Sequence, residues 1–462
     1  MKKIIAYILL TVLLISTVGV PVTAYDATED DSIAMGSHTI DSKLPVLGSE
    51  QLITNARSVL LYEIGTDTLM YSWNADEKLP PASLAKILTA LIAIERGDLA
   101  SEVIVREDVL NTVSKNAVKS DLIVGEVLTL EELLYLMLVD SGNDAAAVLA
   151  DHVAGSQEAF VGLMNEYAQS LGCTNSNFTD VHGIDDENQY STARDLGRIL
   201  TAAVKNEVFA DIFGTVYHTV PANNLSPKRS LISENYLISG DFVKIYFDGR
   251  VKGSRTGVMQ DRTRSIASVA KANDLQLVCI ILGSASVYEA GGVKVRSYGG
   301  YTETSDLLDL AFDGYQPRQL FYDGQVLKQE LVENGDSFVS LGTKTSIATV
   351  LPAGITVDDL AVQYIHYEPQ IRAPIQKGQL LSLVKYSYAG KCVAQMDLYA
   401  MNSVKAVDSG ISTEQNDNKS SGWVIGVTVL VILILGIVLG FFGPKLYKRY
   451  FKKRRRSARR GN

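Results

Sequence analysis

Apolar and polar residues alternate on both sides of Gly65-Thr66-Asp67 within "ARSVLLYEIGTDTLMYSWNADEKL", residues 56–79. A period of two on each side of a turn sequence predicts a β-hairpin. The period then changes. In "LPPASLAKILTALIAIE", Leu84, Ile87, Leu88, Leu91 and Ile92 fall on one face of a helix. Residues 130–205 keep this helical spacing through "LEELLYLMLVD" and "AAAVLADHVAG", and Gly155 stops the second run. From Arg264, "RSIASVAKANDLQLVCIILGS" returns to strand texture, with a turn at Ala272-Asn273-Asp274, and "YTETSDLLDLAFDGY" predicts a helix capped by Thr304 or Ser305. Strands at both ends of a helical middle predict an α+β fold, an antiparallel sheet with helices. From Gln316 to Ala406, short alternating runs broken by Gly and Pro predict a small all-β domain.

The two ends carry a different pattern. "MKKIIAYILLTVLLISTVGVPVTA" has a basic start, an apolar run and a small-residue site at Val22-Thr23-Ala24. That is the layout of a secretory signal peptide spanning residues 1–24, with an uncleaved anchor as the alternative. Trp423 to Gly443 is free of charge and long enough to form a C-terminal transmembrane helix. The following segment, residues 444–462, is rich in Lys and Arg, which assigns it to the cytoplasm and the preceding chain to the cell-wall side of the cell membrane. Residues 25–49 form a polar lead-in, residues 50–315 the main domain, residues 316–406 the β-domain and residues 407–422 a linker.

Charge and composition narrow the function. The chain has 462 residues and a formal net charge of −9. Setting aside the ten basic residues from Lys445 onward and the two of the leader takes the charge to −21. An exported part this acidic disfavours nucleic acid as a partner, and the basic tail is better matched to anionic membrane lipid. Cys173, Cys279 and Cys392 form no CxxC pair, and the five histidines have no metal-ligand spacing, so neither a disulfide framework nor a metal or other cofactor is expected.

Chemistry enters at Ser83 and Lys86. The spacing Ser-x-x-Lys also occurs at Ser268/Lys271 and Ser382/Lys385, but in strand texture, where the two side chains diverge. Only Ser83 and Lys86 begin a predicted helix, where positions three apart share a face. They read as a nucleophile and its base, against the plainer alternative of a helix cap beside a solvated lysine. Ser141-Gly142-Asn143 lies between two helical runs and can present a hydroxyl and an amide to a cleft; Ser72-Trp73-Asn74 has the same spacing inside the hairpin. Arg255-Thr256-Gly257 begins a strand with a cation, a hydroxyl and a residue that lets another backbone approach.

In this order the three elements resemble the penicillin-recognising serine enzymes, with their SxxK, SxN and KTG signatures. The resemblance is strongest to the low-molecular-mass penicillin-binding proteins, the serine D-alanyl-D-alanine carboxypeptidases. It extends from about residue 50 to 400 through "NADEKLPPASLAKILTAL", "HGIDDENQYSTARDLGRI" and "RAPIQKGQ". It implies a β-lactamase/transpeptidase-like domain, a peptidoglycan stem peptide as substrate, and acylation by β-lactams. It also implies roles. Ser83 is the nucleophile, Lys86 the base, and Ser141 a proton carrier toward the leaving amine. Asn143 binds the substrate amide. The cation of the third motif and Thr256-Gly257 bind the substrate's terminal carboxylate and backbone. The N–H groups of Ser83 and Val258 form the oxyanion hole. The chain departs from the family by carrying Arg255 where KTG has Lys, and Lys252-Gly253-Ser254 is a poorer alternative register. On the same fold, a wall-binding or scaffold protein with weakened catalysis and a β-lactamase are the competing readings. His182, beside Asp180, matches a structural segment of the family.

Overall fold

The computed structural model describes residues 52, 55–184, 186–288 and 295–407. The leader, the candidate span at 423–443 and the basic tail lie outside them. Among the described residues, no helix is long and apolar enough to cross a membrane.

The central element is a five-stranded antiparallel sheet. Its strands are β1 (Ser58–Glu63), β2 (Thr68–Trp73), β3 (Val251–Val258), β4 (Arg264–Ala272) and β5 (Leu275–Ser284), in the order β2-β1-β5-β4-β3. The predicted hairpin forms because Glu63 accepts hydrogen bonds from the backbone N–H and hydroxyl of Thr66, closing the turn. The second predicted turn falls at Asn273 and Asp274, both with positive φ, which Asn and Asp tolerate better than most residues.

Both faces of this sheet are covered, as the sequence of β1 requires. Leu60 and Tyr62 point into one apolar cluster, and Val59 and Leu61 into another. The first cluster is built with helices α1 (Ala85–Arg96), α2 (Leu130–Leu138), α3 (Asn143–Ala154), α4 (Gln157–Ser170), α5 (Ala193–Ala203) and α6 (Glu207–Phe213). The second is closed by α7 (Tyr301–Gly314) through Tyr301, Leu307, Leu308 and Ala311. Each fully buried Leu in these layers contributes about 1.5–3 kcal/mol relative to exposure, and α1 alone buries Leu88 and Leu91 together with Ile87 and Ile92. The start of α7 differs from expectation. Its cap is Gly300, whose N–H donates to the Glu303 carboxylate at 2.7 Å, while Thr304 lies inside the helix and donates back to the Gly300 carbonyl. A φ of +90° at position 300 admits only glycine readily, and this overrides the Thr/Ser preference used to place the cap.

Among the described residues after Gly314, the regular elements are strands and one single-turn helix. The described residues divide into two compact units, one comprising those up to 325 with 343–365 and 382–398, the other 326–342 and 366–381 with 399–407. In the first unit, β6 (Tyr315–Phe321) pairs antiparallel with β9 (Ile347–Pro352). In the second, β7 (Val326–Leu331) and β8 (Phe338–Gly342) form a hairpin, and Leu341 and Gly342 pair with Ala400 and Tyr399.

Candidate active site

Ser83 lies in a single 3-10 turn, Ala82–Leu84, immediately before α1. It is partly exposed, while Ala82 and Leu84 on either side are buried. No side chain caps this turn or α1, so Ser83 is not serving as a helix cap. The turn is held from two sides by glycines. A Cβ on Gly257 in β3 would lie 2.8 Å from Ala82 Cβ and 2.9 Å from the Ser83 nitrogen. A Cβ on Gly183, whose φ is +86°, would collide with the Ala82 carbonyl. Ala82 itself has φ +47°, a conformation that costs a non-glycine residue on the order of 1–3 kcal/mol and that the two close backbones hold in place.

Lys86 is 0 % exposed, one helical turn into the chain after Ser83. Its Nζ donates to the Ser141 carbonyl at 2.9 Å, to Ser141 Oγ at 3.5 Å and to Asn143 Oδ1. The amine therefore faces the SxN turn, and among its hydrogen bonds none runs to the Ser83 hydroxyl. Burial lowers the Lys86 pKa well below that of a free lysine, and the Arg255 charge lowers it further; Asp180 and Asp144 act in the opposite direction. An amine displaced in this way is available as a base at a lower pH than an exposed lysine.

The SxN turn is built to hold its two side chains there. Ser141 has φ +67°, and Asn143 opens α3 with its N–H on the Val118 carbonyl at 2.9 Å. Asp144, next in sequence, accepts the N–H groups of Ser120 at 2.9 Å and Leu122 at 3.1 Å, and Ser120 Oγ donates to Asp140 at 2.6 Å. This clamps residues 118–122 onto the turn. Asp144, Asp140 and Ser120 were not singled out from sequence. The available signal was Asp144 directly after Asn143 at a helix start, where a carboxylate can collect backbone N–H groups.

Arg255 joins the three motifs. Its side chain is buried, with Nε donating to the Ser83 carbonyl at 3.2 Å, Nη1 to the Leu138 carbonyl at 2.5 Å and Nη2 to Ser141 Oγ at 2.8 Å. Burial pulls its pKa down to about 10, which still leaves it charged at neutral pH. Thr256 and Val258 alternate to the other face of β3, Val258 being exposed and Thr256 partly so. Pairing of Arg255 with Ala267, Thr256 with Ile266 and Gly257 with Ser265 fixes this register; Lys252 lies three residues earlier in the same strand, exposed, with Nζ on the Gly249 carbonyl. The other two Ser-x-x-Lys matches, at Ser268 and Ser382, sit in strands.

His182 belongs to a loop organised by Asp180. That carboxylate accepts the N–H groups of His182 at 2.9 Å, Gly183 at 2.5 Å and Ile184 at 3.1 Å, with Gln189 Nε2 at 3.1 Å. Thr89 of α1 donates to the Val181 carbonyl at 2.7 Å and ties the loop to the nucleophile's helix. The loop's role is to bring Gly183 against Ala82. Among the described residues no group of His, Cys, Asp or Glu side chains is arranged to hold a metal ion.

Residues 47–286 match the D-alanyl-D-alanine carboxypeptidase family, and residues 315–406 match the penicillin-binding protein 5 C-terminal domain. The chain is similar to D-alanyl-D-alanine carboxypeptidase DacC of Escherichia coli, 29% identical over 363 residues, covering 76% of this chain and 84% of that protein. It is similar also to DacF of Bacillus subtilis, at 28% identity over 361 residues, covering 77% and 88%. Among solved structures, penicillin binding protein 5 from Haemophilus influenzae superposes with a TM-score of 0.62 at 24% identity, covering 76% of this chain and 98% of that one. DacD from Francisella tularensis gives 0.64 at 18% identity, covering 81% and 100%. These two likenesses establish the fold.

Proposed function

The chain belongs to the D-alanyl-D-alanine carboxypeptidase family of serine peptidases, and from that premise we propose that it removes the terminal D-alanine of peptidoglycan stem peptides through an acyl-enzyme on Ser83. The observation that carries the mechanism is the buried Lys86 amine, directed at Ser141 and Asn143 and lowered in pKa. Neutral Lys86 takes the Ser83 hydroxyl proton, directly or through Ser141, as Ser83 Oγ bonds to the carbonyl carbon between the two D-alanines. The developing oxyanion lies at the N–H groups of Ser83 and Val258, which the close approach of Gly257 brings to one edge. The tetrahedral carbon then expels the D-alanine amine, which receives its proton from the Lys86–Ser141 pair. Water attacks the ester and gives up a proton to the same pair, which returns it to Ser83 Oγ as the C–Oγ bond breaks and the shortened peptide leaves. Asn143, already fixed by its side-chain bond to Lys86, orients the substrate amide.

The same attack on a β-lactam ring opens it and leaves no departing amine, so β-lactams acylate Ser83 and remain. The chain is anchored to the cell membrane by residues 423–443 through contacts with membrane lipid, with the peptidase domain on the cell-wall side; a domain boundary near residue 315 is consistent with the two family matches. One observation favours a second reading, a catalytically weakened wall-binding protein: each nitrogen of Arg255 already donates to a protein acceptor, so only one N–H on each Nη is left for a substrate carboxylate. The deciding experiment is release of D-alanine from a pentapeptide ending in D-Ala-D-Ala by the purified full chain. Release dependent on Ser83 supports the peptidase, and Ser83-dependent penicillin labelling without release supports the weakened protein.

A further inference from the structure

The hairpin of β7 and β8 ends in two large apolar side chains that the protein leaves in water. Leu331 and Phe338 are direct cross-strand partners, so they share one face of the hairpin, and they are 76 % and 53 % exposed. The residues that follow them, Val332 and Val339, are buried, so the core takes one face here and leaves this pair on the other. A single exposed apolar residue is ordinary; two held side by side at the end of a hairpin form the start of a contact surface.

The described residues end at this same hairpin. Val407, half exposed, donates its N–H to the Asn334 carbonyl at 2.8 Å, Ala406 bridges to Gly335, and Lys405 exchanges its N–H and carbonyl with Asp336 at 3.1 and 3.0 Å. The uncharged segment that begins at Trp423 follows after residues 408–422, so its first residue lies within about 60 Å of the hairpin's turn however the chain between them runs. The charges around the turn suit a lipid surface. Lys405 is exposed, and so is Lys377, placed here by its N–H on Ser403 Oγ at 3.0 Å. Of the two acids in the turn, Glu333 is paired with Arg372 at 2.6 Å, and Asp336 accepts the Lys405 N–H and the Ser337 hydroxyl. Apolar side chains flanked by lysines can enter the acyl boundary while the lysine stems carry their charges back to anionic head groups.

We propose that the turn end of the β7–β8 hairpin rests in the interface of the bilayer that anchors the chain, with Leu331, Phe338 and Val407 in the apolar boundary and Lys377 and Lys405 at anionic lipid head groups. This rests on the reading of residues 423–443 as the anchor and adds to it a second lipid contact, made by the folded unit itself. A tether alone fixes where the chain is attached. A second contact fixes which end of this unit faces the lipid.

The test uses the full chain in liposomes of phosphatidylethanolamine and phosphatidylglycerol that carry a diazirine-labelled phospholipid. After irradiation, the sites of lipid attachment are mapped by mass spectrometry. The expected result is label within residues 331–338 as well as within 423–443. The double variant L331Q/F338Q is expected to lose at least about tenfold of the hairpin label while keeping the label on 423–443, its thermal midpoint and its D-alanine release. Label on 423–443 without label on the hairpin of the unmodified chain overturns the proposal and leaves the anchor standing. Hairpin label that the double variant retains in full overturns it as well. Cross-links between Lys405 of two copies, with no lipid on the hairpin, assign this face to a second copy of the chain and overturn the lipid contact. If neither segment takes label, the anchored reading fails, and the hairpin contact fails with it.

Discussion

Nη2 of Arg255 donates to Oγ of Ser141 across 2.8 Å, linking the third motif to the second beneath the nucleophile's turn. Arg255→Ala removes the donor for that hydroxyl and for the Ser83 and Leu138 carbonyls at once. Leaving buried acceptors unpaired costs about 1–3 kcal/mol each. The expected outcome is a fall of at least about a hundredfold in the rate of penicillin acylation, with a thermal midpoint lowered by several degrees. Stopped-flow acylation and calorimetry measure both, and an R255A chain that acylates at the normal rate refutes the linking role.

Ser83→Ala is expected to abolish acylation while leaving the fold intact, because Ser83 is partly exposed and caps nothing. Intact-mass spectrometry after incubation with a penicillin is the check. An adduct on the S83A chain would place the nucleophile elsewhere.

The pH dependence follows from the lowered Lys86 pKa. The base form is neutral, so activity is present above that pKa and lost as pH falls through it. Arg255→Gln removes a charge that helps hold the pKa down, and the acid limb of kcat/KM moves to higher pH. Asp180→Asn removes a charge that raises it, and the limb moves to lower pH. Stability carries the same sign. Between the lowered value and that of a free lysine, the unfolded chain binds a proton that the folded one does not, so stability rises with pH across that window. Lys86→Met is expected to flatten this rise. Urea unfolding at a series of pH values measures it, and an unchanged slope in K86M would show that Lys86 is charged in the folded state.

Gly257→Ala and Gly183→Ala test the two supports of the Ser83 turn. At position 257 the new methyl meets Ala82 Cβ at 2.8 Å and the Ser83 nitrogen at 2.9 Å, which displaces the turn without opening the core. Acylation is expected to fall by about a hundredfold or more with a modest loss of stability. At position 183 the methyl collides with a backbone carbonyl and the φ of +86° is itself unfavourable, so G183A is expected to lose more stability than G257A. Equal melting temperatures for wild type and both variants would contradict this packing.

Much of the site was legible because its motifs sit on regular elements. The helical period that continues through Leu88 and Leu91 distinguishes Ser83/Lys86 from the two strand-borne matches, and those do lie in strands. The hairpin and the β4–β5 turn were legible from alternation and from Asn-Asp. What was not legible is contact across long chain separations. Nothing local indicates that Gly183 lies against Ala82, that Asp144 clamps Ser120 and Leu122, or that the Lys86 amine turns toward Asn143. The positive φ at Ala82 is likewise invisible, because alanine has no preference for it; the surrounding backbones impose it.

The complete enclosure of the Lys86 amine also gives the protein an internal gauge. Amine-modifying reagents reach surface lysines such as Lys271 and pass this one by. The moment at which a peptide containing residue 86 becomes labelled therefore marks the parting of the α1 and SxN segments, and the gap between that moment and global unfolding measures how far the catalytic cleft can breathe on its own.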